Sequence, residues 1–407
     1  MDDSDGSRLL TSVTVGALLS AAVAHAGGSL VSWHLEHVDA DPHRSTTATY
    51  AATVDWPYGR RVELLGASAR VGGRSPSDEQ AVMFADGERE VAVWLYPGDP
   101  DLPGLARAAS AEDVAALFTA HRVVGAAVRA DQVELSMVGY RPRRRAVLRA
   151  RIATASGPQV FFIKVLRQPR FAPTVRRHEL LRAAAVPAPE IALATDDFLL
   201  VLRELPGQPL ARAIFDPQVP CSAEALVALL DAMPAEVARL QRRHPWTDAV
   251  DSYAAMVAVV LPPLEPRLAW LVDQIRSGLA DRPPGDEATH GDFHEGQLFV
   301  ANGRIRGVLD IDTVGPGRRA DDLACLLAHL STVQRMNAEQ SVRVSALIQS
   351  WVPVFDTRVD PIELRLRAAG VAVSLATGPY RGQEPAWERE TTMIIAAAER
   401  LVRSAAC

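Results

Sequence analysis

The dipeptide Asn302-Gly303 is the feature that most constrains the fold of this 407-residue chain. Asn-Gly is the strongest short-range signal for a two-residue type I′ turn between antiparallel strands, because both of its residues readily take positive φ. Segments of strand character flank the dipeptide at residues 297–301 and 304–309. The sequence therefore predicts a β-hairpin, set among segments that otherwise have helical character.

Oxygen-bearing side chains gather at the open end of this predicted hairpin. With the turn centred on the dipeptide, Gln297 is predicted to pair with Val308, and Glu295 to lie opposite Asp310 at about 5 Å. Clustered carboxylates repel one another and must be neutralised, and oxygen ligands favour magnesium over zinc. A solvated hairpin end with capping aspartates would explain one such residue but not the set, which is Asp292, Gln297, Asp310 and Asp312.

Lys164 is the only lysine in a chain rich in arginine. It lies in Phe161-Phe-Ile-Lys-Val165, an alternating segment that predicts a strand, where a lysine must be paired or reach the surface. The next acidic residue is Glu179, in a helix predicted at residues 174–185. Protein kinases use a strand lysine and a helix glutamate in this order to hold the lysine against the α- and β-phosphates. Chance survival of one surface lysine is the alternative.

The order of predicted elements indicates an α+β fold in which a mostly β region precedes two lobes. The N-terminal region has a helical segment at residues 9–24 and strands at 29–37, 46–56, 61–71 and 88–96, and a helix at 109–121 comes after it. Strands at 133–138, 146–154 and 159–166, the helix at 174–185 and a strand at 197–205 follow, and the chain after Pro206-Gly207 is mainly helical, interrupted once by the hairpin. We expect an N-terminal cap domain at 1–105, a β-rich nucleotide-binding lobe at 106–206, and a helical lobe with the hairpin and acceptor site at 207–407.

Composition and charge exclude several classes of protein. The net charge of -6 argues against a nucleic-acid partner, which calls for a basic patch. Cys221, Cys325 and Cys407 show no paired spacing, so we expect free thiols in a reducing cytoplasm. The apolar segment Leu9–Ala24 follows acidic residues rather than a positive n-region, and it is too short to span a bilayer. We expect a cytoplasmic protein without membrane association, and a monomer.

Several of these motifs together resemble the catalytic stretch of aminoglycoside phosphotransferases and choline-kinase-like enzymes. The resemblance covers roughly residues 133–330 and implies a protein-kinase-like two-lobed fold. It rests on His290-Gly-Asp292, Gln297, Val308-Leu-Asp310-Ile-Asp312 and Asp322-Leu-Ala324, and upstream on Lys164, Glu179 and Leu205-Pro-Gly207.

The resemblance implies ATP and Mg²⁺ as cofactors and gives the hairpin residues their roles. The aspartate of the first motif is the catalytic base, which carries over to Asp292, and His290 orients its loop. Asp310 chelates magnesium together with Gln297. Asp322 anchors the loop by hydrogen bonding.

Nucleotide binding is implied upstream, with magnesium-bound ATP between the lobes and its α- and β-phosphates on the lysine. The residues are Lys164, Glu179, Glu204 and Leu205. The chain departs from the family in having Gln297 where asparagine is usual, and a basic turn at residues 139–145 in place of a Gly-rich loop. An arginine of this turn would either contact phosphate or be solvated.

A small sugar or amino sugar is the expected acceptor. Gln297 is similar to the pattern of maltokinases, and the long N-terminal region resembles the cap domain of actinobacterial glucosamine kinases. The loop at residues 378–390 is dense in Glu, Trp and Tyr, which suit sugar rings and their hydroxyl or ammonium groups. Acceptor contacts are predicted at Asp312, Glu384 and Trp387, although a packed tryptophan among solvated acids would account for the loop equally well.

Other activities stay open on the sequence. An aminoglycoside acceptor fits the same resemblance, and a non-catalytic pseudokinase would explain Gln297 and the missing Gly-rich loop. A metal-dependent hydrolase could use His290 and His294, but it leaves Lys164 unexplained. A dinucleotide enzyme is suggested by residues 315–320 without the βαβ unit it needs. A Walker-type ATPase is excluded, because the only lysine lies outside such a loop.

Overall fold

The computed structural model describes residues 5–41, 44–71, 81–86, 89–333 and 336–405. The chain divides into two compact units. Unit 1 comprises Met1–Ala172, Ile191–Glu204 and Arg381–Gln383, and unit 2 comprises Pro173–Glu190, Leu205–Tyr380 and Glu384–Cys407. Cys407 and the first residue of the strand predicted at 88–96 lie outside the described residues. The three domain boundaries expected from the sequence stay a prediction.

The first sheet of unit 1 is antiparallel and has the strand order β1-β2-β3-β5-β4. Its strands are β1 (Ser29–Asp41), β2 (Ser45–Trp56), β3 (Gly59–Arg70), β4 (Val82–Asp86) and β5 (Arg89–Leu95), and the helices before it are α1 (Ser7–Thr11) and α2 (Val15–His25). Alternate side chains of β2 enter a core shared with these helices. The buried Tyr50 hydroxyl donates a 2.6 Å hydrogen bond to the Leu10 carbonyl, which ties α1 to β2.

The second sheet of unit 1 is also antiparallel and has the order β6-β7-β8-β10-β9. Its strands are β6 (Val133–Arg141), β7 (Arg145–Ile152), β8 (Gln159–Leu166), β9 (Ile191–Ala194) and β10 (Leu199–Arg203), and it packs on α3 (Leu105–Ala108) and α4 (Ala111–Ala120). Phe118 of α4 meets Phe161 of β8 edge to face, with ring centroids 5.1 Å apart. Such a pair adds about 1 kcal/mol to the stabilisation from burial alone.

Asp99 links the two sheets of unit 1. Its buried carboxylate accepts the Tyr140 hydroxyl at 2.7 Å and the Arg143 backbone N–H at 2.8 Å, and the Trp94 indole donates to the same Tyr140 oxygen at 2.9 Å. The Arg143 guanidinium lies 4.9 Å from the Trp94 ring centroid, and its side chain is 4% exposed. This arginine of the basic turn is therefore buried and engaged within unit 1, rather than solvated.

Unit 2 is mainly helical around one large apolar core. Its helices are most of α5 (Gln168–Ala183), then α6 (Leu210–Ala213), α7 (Ala223–Asp231), α8 (Val250–Val260), α9 (Glu265–Leu279), α10 (Arg319–Thr332), α11 (Ala338–Asp356), α12 (Pro361–Leu375), α13 (Gly378–Arg381) and α14 (Trp387–Ala405). Its strands are β11 (Gln208–Pro209), β12 (Glu287–Thr289), β13 (Leu298–Ala301), β14 (Arg304–Val308) and β15 (Gly315–Gly317). Almost every residue of α12 from Glu363 to Ser374 is buried, as in a helix packed on all sides.

The predicted hairpin is present as β13 and β14. Asn302 and Gly303 have φ of 53° and 71°, as a type I′ turn requires. A register shift within the hairpin places an extra residue in β14, so that Leu298 pairs with Val308. The predicted pairing of Gln297 with Val308 is therefore wrong by one residue.

The residues before β13 are not part of the ladder. Glu295 and Gln297 bound a short 3₁₀ turn, and Asp310 begins another such turn after β14. The prediction that Glu295 lies opposite Asp310 across the hairpin is therefore wrong. The backbone N–H of Leu309 donates to the Gln297 carbonyl at 2.7 Å, and this bond still holds the two turns together.

The α+β class and the N-terminal β region are confirmed, and the sequence missed only small elements. It did not predict β4 or β9, and β12 pairs with β15, so the hairpin is not the sole interruption of the helical part. In the part of the chain that the structure describes, no helix is both long and apolar enough to cross a bilayer.

Gly207 offers a test of the predicted hinge. It has φ of 96°, and a Cβ there would lie 2.5 Å from the Val300 carbonyl oxygen. We expect Gly207→Ala to lower the free energy of unfolding by about 2–4 kcal/mol, from backbone strain and displacement of β13. Gly303→Ala is the matched control, because φ is 71° and nothing lies within 4 Å of its Cβ position; about 1 kcal/mol is expected. Equal losses in urea unfolding would contradict this account.

Candidate active site

Asp322 fixes the main chain of the segment that carries the predicted catalytic base. It lies in the first turn of α10 and is fully buried. One carboxylate oxygen accepts the His290 backbone N–H and the other accepts that of Gly291, both at 2.8 Å. Burial raises the pKa of Asp322 to about 6, against the effect of these bonds and of nearby His290. The loop-anchoring interaction expected at this residue is present.

His290 connects the same segment to the end of β14. Its buried ring donates from Nε2 to the Leu309 carbonyl at 2.8 Å, because a carbonyl can only accept. Its Nδ1 then accepts the backbone N–H of Asp292 at 3.3 Å. The ring thereby orients the main chain at Asp292 with respect to the hairpin.

Gly291 allows the close approach of two loops. It has φ of 79°, and a Cβ would lie 2.8 Å from the Thr313 carbonyl oxygen. The Thr313 hydroxyl donates to the His290 carbonyl at 2.8 Å. The loop after β14 and the loop after β12 therefore pack directly against each other.

Asp292 is partly exposed, with one carboxylate oxygen turned towards α10. Its Oδ1 lies 4.0 Å from the Sγ of Cys325. Burial, reinforced by the negative charge of Asp292, raises the pKa of the Cys325 thiol well above its usual range. The thiol stays protonated and can donate weakly to Oδ1.

The residues predicted to hold a metal, together with Asp312, lie on neighbouring segments at the open end of the hairpin. Asp310 follows β14 with φ of 48°, and Asp312 lies in the 3₁₀ turn after it. The Leu309–Gln297 backbone bond brings Gln297 to the same end. Carboxylates and an amide form the hard oxygen donor set that suits Mg²⁺, so these residues fit the ion that the resemblance implies.

A cluster of His294, Glu295 and His329 was not predicted as a set; we call it the His–Glu cluster. The two imidazole rings stack with centroids 4.0 Å apart and planes 11° apart. The Nδ1 atoms of His294 and His329 lie 3.9 and 3.7 Å from Glu295 Oε2. His329 enters from α10, and no spacing signal in the sequence connects it with the other two.

Protonation within the His–Glu cluster follows from burial and the hydrogen bonds. Burial, followed by the charge of His329, lowers the pKa of His294 to about 4. Its Nδ1 lies 3.1 Å from the Gly296 N–H, and its Nε2 lies 3.1 Å from the amide nitrogen of Gln297. A neutral imidazole accepts at only one of its two nitrogens, so the tautomer decides which of these contacts is a hydrogen bond. Burial raises the pKa of Glu295, but the two histidines outweigh it and the net shift is downward.

The residues predicted to contact nucleotide lie in both units. Lys164 is 6% exposed on β8, between Val147 and Leu200 of the neighbouring strands. Glu179 lies on α5 with a side chain 58% exposed, and forms a 3.8 Å ion pair with Arg176. The pairing of Lys164 with Glu179 stays a prediction.

Glu204 and Leu205 follow β10 directly. The Glu204 backbone N–H donates to the Val160 carbonyl at 3.3 Å, continuing the sheet of unit 1. In unit 2, the Leu205 side chain packs directly on Gly307, so closely that a Cβ at residue 307 would clash with it. Their contact with nucleotide stays a prediction.

The residues predicted to contact the acceptor lie on two segments of unit 2. Trp387 begins α14, packs edge to face on Tyr380 with ring centroids 5.1 Å apart, and donates its backbone N–H to the Glu384 carbonyl at 3.1 Å. Asp312 lies in the turn after β14. A shared role of Asp312, Glu384 and Trp387 stays a prediction.

The comparison with protein families agrees with the resemblance. Residues 154–344 match the model described as "Phosphotransferase enzyme family". Similar solved structures include an aminoglycoside phosphotransferase APH(4)-Ia mutant in a ternary complex with ADP and hygromycin B (14% identity, 72% of this chain and 98% of that one, TM-score 0.49). They also include a Plasmodium vivax ethanolamine kinase, with 11% identity over 68% of this chain and 85% of that one and a TM-score of 0.44. A third is a macrolide 2′-phosphotransferase from Brachybacterium faecium, with 20% identity over 69% of this chain and 97% of that one and a TM-score of 0.42. The comparison with curated proteins finds no match.

Because Asp322 anchors this loop, removing its carboxylate should lower the free energy of unfolding strongly. Asp322→Ala leaves two backbone N–H groups buried without an acceptor, and we expect it to lower the free energy of unfolding by about 3–5 kcal/mol. Asp322→Asn keeps one carbonyl oxygen and should lose about half as much. Urea unfolding of the two variants checks this, and an alanine variant as stable as the asparagine variant would contradict it.

His294 predicts a pH-dependent contribution to stability. Its pKa is about 4 in the folded chain and near 6.5 when unfolded, so between these values the unfolded chain binds the extra proton and the free energy of unfolding falls as pH falls. The stability difference between wild type and His294→Asn should therefore shrink by about 3 kcal/mol from pH 7 to pH 4. Urea midpoints at three pH values check this; parallel pH profiles would count against it.

Proposed function

We propose that this chain, whose residues 154–344 match the model of the phosphotransferase enzyme family, transfers the γ-phosphoryl group of ATP to a hydroxyl of a small sugar or amino sugar. One observation carries the proposal. The His290–Asp292 segment, fixed by Asp322, packs against the hairpin end that bears Asp310 and Gln297. The proposed proton acceptor and the proposed metal ligands are thus linked through one network of hydrogen bonds, and ATP as donor suits the proposed cytoplasmic enzyme.

Asp292 is the proposed general base. In the transfer, the bond from the γ-phosphorus to the ADP oxygen breaks, a bond to the acceptor oxygen forms, and the hydroxyl proton passes to the carboxylate of Asp292. The Cys325 thiol lies at Oδ1, which leaves Oδ2 for the acceptor. His290 and Asp322 hold the main chain of this loop, so that the carboxylate needs little reorganisation when the acceptor binds.

Asp310 and Gln297 are the proposed magnesium ligands. When bound, Mg²⁺ neutralises charge on the β- and γ-phosphates. The Gln297 amide nitrogen lies 3.1 Å from Nε2 of His294, and this contact restrains the amide before any ion binds. Lys164 is proposed to contact the α- and β-phosphates, with Glu179, Glu204 and Leu205 as further nucleotide-binding residues.

The acceptor is proposed to contact Asp312, Glu384 and Trp387. Trp387 keeps a partly exposed ring supported by Tyr380, as a stacking platform for a sugar requires. Carboxylates at residues 312 and 384 would bind hydroxyl or ammonium groups. Aminoglycosides carry the same groups and are the second candidate acceptors.

The test is phosphoryl transfer from Mg·ATP to a panel of sugars, amino sugars and aminoglycosides, with product identified by mass. We expect Asp292→Asn to lower kcat by about 10²–10⁴-fold without weakening ATP binding. Asp286→Asn is the matched control, because this exposed aspartate lies on the same segment, and its rate should equal that of wild type.

The outcomes separate the alternatives. Turnover on aminoglycosides alone would establish the second candidate. ATP binding by calorimetry with no turnover on any acceptor would contradict catalysis and favour a nucleotide-binding pseudokinase. Equal kcat for wild type and Asp292→Asn would remove Asp292 from the role of base.

A further inference from the structure

The His–Glu cluster has the spacing of metal ligands. A ligand atom from each of the three residues lies within 4.8 Å of the other two, and Glu295 Oε2 lies 3.7 and 3.9 Å from the two Nδ1 atoms. Bonds of about 2.0–2.2 Å in a tetrahedral site place ligand atoms about 3.4 Å apart. The two distances from Glu295 are within a few tenths of an ångström of this value, whereas the two nearly parallel imidazole rings would have to rotate for their lone pairs to meet at one ion.

Glu295 presents an oxygen that the protein does not satisfy with a hydrogen bond. Its Oε2 is buried, and no donor among the described residues lies within hydrogen-bond distance. Its nearest polar neighbours are the two imidazoles, whose side chains are 17% and 19% exposed. A buried carboxylate oxygen without a donor is costly, and a cation bound between it and the imidazoles would remove that cost.

We propose that His294, Glu295 and His329 form a binding site for a divalent transition metal of the zinc type. Two imidazole nitrogens and one carboxylate oxygen are a common zinc ligand set, with a fourth position for water. This set differs from the all-oxygen set of Asp310 and Gln297, which suits magnesium. The two sites would therefore select different ions on adjacent parts of one loop.

The site would connect to the magnesium ligands through one side chain. Coordination by Nδ1 of His294 would replace its contact with the Gly296 N–H and place the ring proton on Nε2, which faces the Gln297 amide 3.1 Å away. A bound metal thus fixes the imidazole that holds the Gln297 amide. His329 enters one helical turn after Cys325, so α10 would be pinned to the loop at a second point, beside Asp322.

The experiment uses chelator-treated full-length protein and Co²⁺ as a spectroscopic probe for the zinc site. We expect one equivalent of Co²⁺ to give the intense visible bands of a four-coordinate ion, and Zn²⁺ to displace it. Zn²⁺ should also raise the Tm of the wild type. Absence of stoichiometric binding, or only the weak bands of six-coordinate Co²⁺, overturns the proposal.

Variants assign the ligands. His329→Asn and Glu295→Gln should each weaken Zn²⁺ binding by more than about 100-fold and abolish the Tm increase. Glu295→Gln is nearly isosteric, so its Zn²⁺ affinity tests the ligand assignment if His329→Asn fails to fold. Zn²⁺ affinity unchanged in Glu295→Gln would overturn the assignment.

Two controls separate this site from other metal binding. His34→Ala removes an exposed histidine that contacts Glu36 at 2.7 Å in a surface pair of one histidine and one glutamate, and should leave Zn²⁺ affinity unchanged. Asp310→Asn should impair magnesium-dependent turnover yet keep the Co²⁺ spectrum. The zinc-binding test can therefore succeed even if the protein has no kinase activity. The kinase assay can likewise succeed even if no zinc binds.

Discussion

The hydrogen bonds from the backbone of His290 and Gly291 to the buried Asp322 carboxylate are the constraint on which the candidate site depends. The carboxylate at the start of α10 accepts hydrogen bonds from two backbone N–H groups that have no partner in a strand or helix. These bonds hold an irregular loop in one conformation. His290 then extends the fixed path to the end of β14 through the Leu309 carbonyl. Without this anchor, Asp292 would lie on a loop free to change conformation, and its carboxylate would lose its fixed relation to the hairpin.

Much of the fold could be read from the sequence because local signals and tertiary structure agree. The strand predicted at residues 159–166 is β8, and the Asn302-Gly303 turn has the expected positive φ values. Both rest on short-range chemistry: side-chain alternation in one case and tolerance of left-handed backbone in the other. The hairpin register was wrong because a bulge depends on how β14 packs against the rest of unit 2, which the dipeptide alone does not determine.

Several features that the sequence did not reveal join residues far apart in the chain. His329 stacks on His294 across 35 positions of sequence, and Arg143 bonds to Asp99 across 44. The hydrophobic periodicity of the sequence does not predict such a contact, because each of these residues alone is compatible with a solvated surface. The basic turn shows the same limit: its arginine pattern suggested phosphate or solvent, whereas Arg143 is buried against Trp94.

The near absence of lysine has a consequence for how this chain meets proteases. A protease specific for lysine has one cleavage site, after residue 164. That peptide bond lies in β8, with hydrogen-bonded strands on both sides and a side chain only 6% exposed. Cleavage needs an extended, accessible segment, so it requires that this sheet first open. The native protein should resist such an enzyme for as long as β8 stays paired, and digestion would yield two fragments cut within the β-rich part of unit 1.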